Sequence, residues 1–330
     1  MNVKNDSNGL VADTSGRIQL SVVIPIFNES GSLIELHKRV KDVLERMVST
    51  HYEIILVDDG SDDGSLELLR ELHRSHKHTK VIRFKRNFGQ TAALAAGFDY
   101  AKGNVIVTMD ADLQNDPNDI PLLLQKIEEG YDIVSGWRRH RKDTFVTRKI
   151  PSLVANFLIS KLTGVKLHDY GCTLKAYRTK VAKDINLYGE LHRFIPALAS
   201  LGGAKITEVT VKHYPRKYGK AKYGLSRTSR VVLDLLTVEF LLRFSTRPMQ
   251  LFGIFGLFIG FVGFCIALYL TIAKIFYGVS LSNRPLLLLA VLLIMVGMQF
   301  LAMGLIGELI SRMYYESKSK KIYTIEEILA

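Results

Sequence analysis

The stretch VIVTMDADLQ, from Val105 to Gln114, is an apolar run that ends in two aspartates, Asp110 and Asp112. In an extended strand, alternate side chains point to the same side, so the two carboxylates should face one way. Hard divalent cations such as Mg²⁺ and Mn²⁺ prefer oxygen ligands, and a nucleotide diphosphate is their usual anionic partner. We therefore predict a cation site at the end of this strand. The simpler alternative is a solvated loop after a strand.

Apolar strand candidates alternate with helical patterns on the N-terminal side of this stretch. The strands are predicted at Leu20–Phe27, Ile54–Val57 and Val81–Phe84, and the first helix at Ser32–Met47. This alternation predicts an α/β fold with a mainly parallel sheet that binds ligands at the carboxyl ends of its strands. Neither the G-x-G-x-x-G nor the Walker A pattern is present, so the dinucleotide and P-loop fingerprints are excluded.

Two uncharged runs near the C-terminus, 249–273 and 285–307, are each long enough to cross a membrane as a helix. The alternative is a pair of buried core helices. Basic residues flank both runs, whereas the segment between them has only Lys274 and Arg284. By the positive-inside rule, the N-terminal part and the C-terminus should both lie in the cytosol.

These patterns predict seven segments. They are a flexible N-terminal tail (1–19), a cytosolic catalytic domain (20–225), a juxtamembrane amphipathic helix (226–248), a first transmembrane helix (249–273), an extracytosolic loop (274–284), a second transmembrane helix (285–307) and a cytosolic tail (308–330). A second amphipathic helix is predicted at Phe145–Leu162, and helices of this type can lie in the membrane interface.

The net charge of +12 would suit nucleic acid, which is the generic partner of a basic chain. Because two membrane spans are predicted, anionic lipid or a lipid phosphate is the better partner, and we expect no nucleic acid. Two cysteines are too few for a disulfide framework.

Five short motifs in this order resemble the polyprenyl-phosphate glycosyltransferases of glycosyltransferase family 2, such as bactoprenol glucosyltransferases and dolichol-phosphate mannose synthases. The motifs are VIPIFNE (23–29), VDDGS (57–61), RNFG (86–89), MDADLQ (109–114) and DYGC (169–172). The resemblance covers about Leu20 to Glu308. It implies a glycosyltransferase-A-type nucleotide-binding domain, interfacial helices and two C-terminal transmembrane helices.

The resemblance also implies roles for individual residues. The nucleotide would be held by Pro25, Phe27, Glu29, Asp58, Asp59 and Asp110. The Mg²⁺ or Mn²⁺ ion would be held by Asp110, Asp112 and Gln114. The catalytic base position falls on Asp169, and the acceptor phosphate would be held by Arg138, Arg148, Arg216 and Lys222. Asp59 could instead cap the following turn, and Asp169 could instead orient the sugar or pair with a nearby basic residue.

Together these features predict an inverting enzyme of the inner membrane. It would transfer a sugar, with glucose as first choice, from a UDP-sugar to undecaprenyl or a related polyprenyl phosphate at the cytosolic face. The alternatives are 4-formamido-arabinose or mannose as the sugar, or a non-catalytic nucleotide-binding membrane protein. A processive synthase would need more spans and a Q-x-x-R-W motif, which is not found. We also expect a homo-oligomer.

Overall fold

The computed structural model describes residues 18–48, 51–139, 160, 164–185, 187, 191–218, 248–278, 280, 285–316 and 321–330. The chain divides into two compact units. The first comprises Met1–Leu235 together with Lys321–Ala330, and the second comprises Leu236–Lys320. The predicted helices at 226–248 and 145–162 fall almost entirely outside the described residues.

The first unit is an α/β fold built on an eight-stranded sheet of order β7-β5-β6-β4-β1-β2-β3-β8. Its strands are β1 (Leu20–Ile26), β2 (Tyr52–Asp58), β3 (Thr79–Phe84), β4 (Val105–Thr108), β5 (Ile133–Trp137), β6 (Lys175–Arg178), β7 (Ile206–Thr210) and β8 (Ile325–Leu329). The β6 strand pairs antiparallel with β4 and β5, and β8 pairs antiparallel with β3, whereas all other neighbours are parallel. The predicted mainly parallel sheet is confirmed.

Helices cover both faces of this sheet. They are α1 (Ser30–Val48), α2 (Ser65–Ser75), α3 (Gln90–Tyr100), α4 (Ile120–Glu128), α5 (Thr179–Asp184) and α6 (Ile195–Leu201). Because β1 and β2 are covered on both sides, they are apolar along nearly their whole length. The α3 helix packs closely on β1, since a Cβ at Gly97 would lie 2.1 Å from Cγ1 of Val23.

The C-terminal segment corrects our domain boundaries. We expected residues 308–330 to be a tail outside the catalytic domain, but Ile325–Leu329 forms the edge strand β8. The ring of Tyr323 stacks on Phe84 at 5.1 Å, and its hydroxyl donates to Asp99 at 2.6 Å. The catalytic unit therefore contains residues from both sides of the predicted membrane hairpin, and the range 20–225 was incomplete.

The second unit contains two long helices, α7 (Pro248–Tyr277) and α8 (Pro285–Glu316). Both are long and apolar enough to cross a membrane, and they extend beyond the predicted spans. Glycines bring them together: a Cβ at Gly256 would lie 2.7 Å from the carbonyl oxygen of Gly297. Most of their large apolar side chains are exposed, as lipid-facing helices require.

Candidate active site

The predicted donor residues gather at the carboxyl edge of the sheet. The register pairs Ile26 of β1 with Asp58 of β2, and Asp58 with Arg83 of β3. Asp110 lies two residues after the end of β4, and Arg138 directly follows β5. Because these strands are parallel, their ends lie on one edge, where ligands bind in folds of this kind.

The loops after β1 and β2 are joined by hydrogen bonds. The backbone N–H of Asn28 donates to Oγ of Ser61 at 3.0 Å, and the Asn28 amide oxygen accepts from the N–H of Asp62 at 3.0 Å. Asn28 has a φ of 55°, a left-handed conformation that asparagine tolerates better than most residues. These hydrogen bonds fix Phe27 and Glu29, both partly buried, beside the end of β2.

Asp58 and Asp59 have different tasks. Asp58 is fully buried, and its Oδ1 accepts from the N–H of Ser61 at 3.1 Å. Asp59 accepts from the N–H groups of Phe88 at 2.6 Å and Gly89 at 2.9 Å, so it anchors the RNFG segment. Burial raises the pKa of both carboxyl groups, and these hydrogen bonds partly oppose the rise. The turn after β2 is therefore held by Asp58, and not by Asp59 as our alternative had it.

Asp110 is held by a residue that sequence reasoning missed. Nε2 of Gln90, at the start of α3, donates to Oδ1 of Asp110 at 2.8 Å. Desolvation and then the neighbouring charge of Asp112 raise the pKa of Asp110 to about 6. The only sequence signal for Gln90 was its place directly after the RNFG motif.

Asp112 is engaged by a residue from far along the chain. Nη2 of Arg216 donates to Oδ2 of Asp112 at 2.9 Å, and Nη1 of the same guanidinium donates to Oε1 of Glu29 at 3.3 Å. The Gln114 amide lies between Asp112 and the backbone N–H of Arg216, at 3.0 and 3.2 Å in its best-satisfied orientation. We predicted that Arg216 holds the acceptor phosphate, but here its contacts are to carboxylates assigned to the donor.

Asp169 and Arg138 form a buried two-pronged ion pair. Nε and Nη2 of Arg138 donate to the two carboxylate oxygens at 2.7 and 2.9 Å, and the Gly171 N–H donates to Oδ1 at 3.1 Å. The two side chains are 13% and 5% exposed. Burial disfavours the arginine cation, but Asp169 outweighs it, and the pKa of Arg138 is raised. The alternative that Asp169 pairs with a nearby basic residue is what the structure contains.

Lys175 is a second residue that sequence reasoning missed. It begins β6, is 3% exposed, and its ammonium donates to the backbone carbonyls of Tyr170, at 3.2 Å, and Cys172. Desolvation lowers the pKa of this lysine, while the negative charges around it act in the opposite direction. Its hydrogen bonds fix the loop that presents Asp169. The available signal was a single lysine inside the apolar run LKAY.

The four predicted acceptor residues divide into two pairs. Arg148 and Lys222, which were predicted to hold the acceptor phosphate, lie outside the described residues. Arg138 and Arg216 are described, and they contact Asp169 and Asp112 respectively.

A divalent cation fits the carboxylates that are present. Within the described ranges, no cluster of three or more His, Cys, Asp or Glu side chains has metal-binding geometry. Mg²⁺, however, is commonly held by one or two carboxylates plus substrate phosphates. Asp110 and Asp112 supply two carboxylates near enough that the charge of Asp112 raises the pKa of Asp110. The donor diphosphate would supply the remaining oxygens.

The chain is similar to known glycosyltransferases. The model of glycosyl transferase family 2 matches residues 21–185. The dodecaprenyl-phosphate galacturonate synthase of Rhizobium johnstonii is 45% identical over 94% of this chain and 93% of its own length. The undecaprenyl-phosphate 4-deoxy-4-formamido-L-arabinose transferase of Edwardsiella ictaluri is 39% identical over 94% of each chain.

Among solved structures, glucosyl-3-phosphoglycerate synthase from Mycobacterium tuberculosis, in complex with Mn²⁺ and UDP-glucose, superposes with a TM-score of 0.53. It is 19% identical and covers 67% of this chain and 78% of its own. This likeness establishes the glycosyltransferase-A-like fold. The family match and the two long alignments establish the rest: the chain is an enzyme of glycosyltransferase family 2 and belongs to its polyprenyl-phosphate glycosyltransferases.

Proposed function

We propose that this enzyme transfers a sugar from a UDP-sugar to polyprenyl phosphate at the cytosolic face of the inner membrane, with inversion at the anomeric carbon. The main support is the arrangement at the carboxyl edge, where Asp110, next to Asp112, interacts electrostatically with Arg138 of the buried Arg138–Asp169 pair. A donor pocket thus adjoins basic groups suited to an acceptor phosphate. A non-catalytic nucleotide-binding protein would need only the first of these.

The donor side offers a specific acceptor for the base. Oδ2 of Asp58 is buried and has no hydrogen-bond partner in the described part of the chain, and its nearest cation, Nε of Arg83, lies 3.9 Å away. A buried polar atom without a hydrogen bond costs free energy, and a base N–H such as that of uracil would supply one. Asp110 and Asp112 would hold Mg²⁺ or Mn²⁺, which offsets the negative charge that develops on the departing diphosphate.

On the acceptor side, Arg138 is the described residue best suited to orient a phosphate. Two of its nitrogens hold Asp169, and the remaining N–H groups of a guanidinium can still donate to phosphate oxygens. Asp169 fixes the orientation of that fork. An acceptor oxygen aligned in this way would attack the anomeric carbon from the side opposite the diphosphate, which gives inversion.

For the sugar, galacturonate and 4-deoxy-4-formamido-L-arabinose replace glucose as our first choices. The relatives at 45% and 39% identity carry these sugars in their names, and both alignments span almost the whole chain. We place galacturonate first because that relative is the more similar of the two. Mannose from GDP is less favoured.

The membrane topology has support from the C-terminal strand. Because residues up to 235 and residues 321–330 belong to one unit, the chain must return to the side from which it entered the membrane. Two spans satisfy this requirement, and the basic flanks favour the cytosol as that side. The homo-oligomer remains a prediction.

A donor screen tests the proposal. Purified full-length protein in detergent is incubated with undecaprenyl or dodecaprenyl phosphate, Mg²⁺ or Mn²⁺, and one of UDP-galacturonate, the UDP-linked formamido-arabinose, UDP-glucose or GDP-mannose. We expect a lipid product by mass spectrometry with one of the first two donors. A product with UDP-glucose alone would refute the sugar assignment, and no lipid product with any donor would contradict the activity.

A further inference from the structure

The segment 211–218, which we call the strap, lies along the loop that carries Asp112. His213 forms a β-bridge with Asn115, and the N–H of Tyr214 donates to the carbonyl of Gln114 at 2.9 Å. The Tyr214 hydroxyl donates to Asp116 at 3.1 Å. These contacts align the strap antiparallel to the segment 114–116 and bring Arg216 to the carboxyl edge.

The far end of the strap is attached to the first helix. The ammonium of Lys217 lies 2.7 Å from Oε2 of Glu35, and a Cβ at Gly31 would lie 3.5 Å from the ring of Tyr218. The strap therefore runs from the β4 end to the start of α1, passing the end of β1. Arg216 is the strap residue that reaches inward, with one prong on Asp112 and the other on Glu29.

The contact with Asp112 is significant because the proposed cation would bind the same carboxylate. The Asp112 side chain is 7% exposed and that of Glu29 is 11% exposed, so the guanidinium neutralises two carboxylates that water reaches poorly. A divalent cation held by Asp112 would compete with the Nη2–H of Arg216 for this carboxylate. Planar guanidinium forks bind phosphate as well as carboxylate, so a displaced Arg216 has a ready partner in a diphosphate.

We propose that Arg216 is an exchange residue of the donor site: its guanidinium occupies Asp112 in place of the divalent cation, and moves to the donor diphosphate when cation and nucleotide bind together. This inference rests on the proposed cation site at Asp110 and Asp112. It assigns Arg216 to the donor and not to the lipid phosphate. Cation binding and movement of the strap are then linked. Loss of Arg216 should strengthen binding of the cation alone and weaken binding of the nucleotide.

Binding measurements on Arg216→Ala test the exchange. Mn²⁺ binding without nucleotide is measured by electron paramagnetic resonance of the free ion, and UDP binding at saturating Mn²⁺ by titration calorimetry, both on the full-length protein in detergent. Removing the competing guanidinium should tighten Mn²⁺ binding by roughly fivefold or more, as for other linked equilibria. Loss of a charged hydrogen bond to the diphosphate should weaken UDP binding by roughly tenfold or more.

Lys217→Ala is the matched control, because it removes the neighbouring ion pair of the strap without touching Asp112. It should leave Mn²⁺ affinity unchanged, and urea midpoints of both variants report whether they are folded. The inference is overturned if Arg216→Ala leaves Mn²⁺ affinity unchanged or weaker, or if Lys217→Ala tightens it equally. Failure of wild type to bind Mn²⁺ with or without UDP would instead remove the proposed cation site, and this inference with it.

Discussion

The buried ion pair of Arg138 and Asp169 can be tested quantitatively with a double-mutant cycle. The substitutions are Arg138→Met, which keeps the length and removes the charge, and Asp169→Asn, which keeps the shape. Removing one partner of a buried ion pair typically costs about 3–5 kcal/mol. We expect each single variant to lower the free energy of unfolding by about 3 kcal/mol, since both prongs are short and both side chains are largely buried.

The double variant should be less unstable than the sum of the two singles. Hydrogen bonds to charged groups contribute about 1.5–3 kcal/mol each, so an interaction energy of at least ~1.5 kcal/mol is expected. The assay is urea unfolding, monitored by tryptophan fluorescence. Trp137 is the only tryptophan of the chain and stacks on His168 at 4.2 Å, next to the pair itself.

Arg139→Met is the control, because this neighbouring arginine is exposed and only approaches the Trp137 ring, at 5.6 Å. A cation–π contact at an exposed site contributes about 0.5–1 kcal/mol, so the control should stay within that range. Additivity of the two single variants within about 0.5 kcal/mol would refute the coupling of Arg138 to Asp169.

Three further predictions concern the cation site and the membrane helices. Asp112→Ala, or excess EDTA, should reduce turnover to near background, and full turnover in EDTA would contradict a cation requirement. Because the pKa of Asp110 is raised in the folded state, this carboxyl group contributes its full stabilisation when the pH is below 3.8, its ordinary pKa. This contribution is lost as the pH rises through about 6. Between pH 7 and pH 5 wild type should therefore gain ~1 kcal/mol relative to Asp110→Asn, and parallel pH–stability curves would count against the raised value. Gly256→Ala should lower thermal stability in detergent more than Gly260→Ala. The added Cβ would lie 2.7 Å from the carbonyl oxygen of Gly297 in the first variant, but 3.9 Å from the Cα of Gly297 in the second. Equal effects of the two substitutions would argue against this helix contact.

The parallel part of the sheet was predictable because its signals are local. Buried parallel strands are continuous apolar runs, and the polar residues that follow them must meet at one edge. For that reason Asp58 and Asp110 could be assigned to the same edge before any coordinates were known. The two membrane spans were predictable for the same reason, since each is defined by the length and the absence of charge of one continuous segment.

The antiparallel strands and the site's ion pairs were not predictable in the same way. The β8 strand pairs with residues more than 240 positions earlier, and Arg216 contacts Glu29 across 187 positions. Composition gives the sign of such charges but not their partners, because pairing depends on where the backbone returns. Lys175 was missed for a related reason: an isolated lysine in an apolar run is ambiguous until its two carbonyl partners are known.

The ion pair also bears on whether Asp169 acts as a base. Both of its oxygens accept charged hydrogen bonds from Arg138, and bonds to the ionised form favour that form over the protonated one. A lipid monophosphate has a second pKa of about 6 and is largely a dianion at neutral pH, so little proton removal is required. We therefore expect Asp169→Asn to lower kcat through misorientation of Arg138, while the fall in rate below about pH 6 persists because the acceptor phosphate itself takes up the proton. The measurement is kcat against pH for wild type and Asp169→Asn at saturating donor and acceptor. Disappearance of the acid limb in the variant would show that the limb belongs to Asp169, and would restore its role as the base.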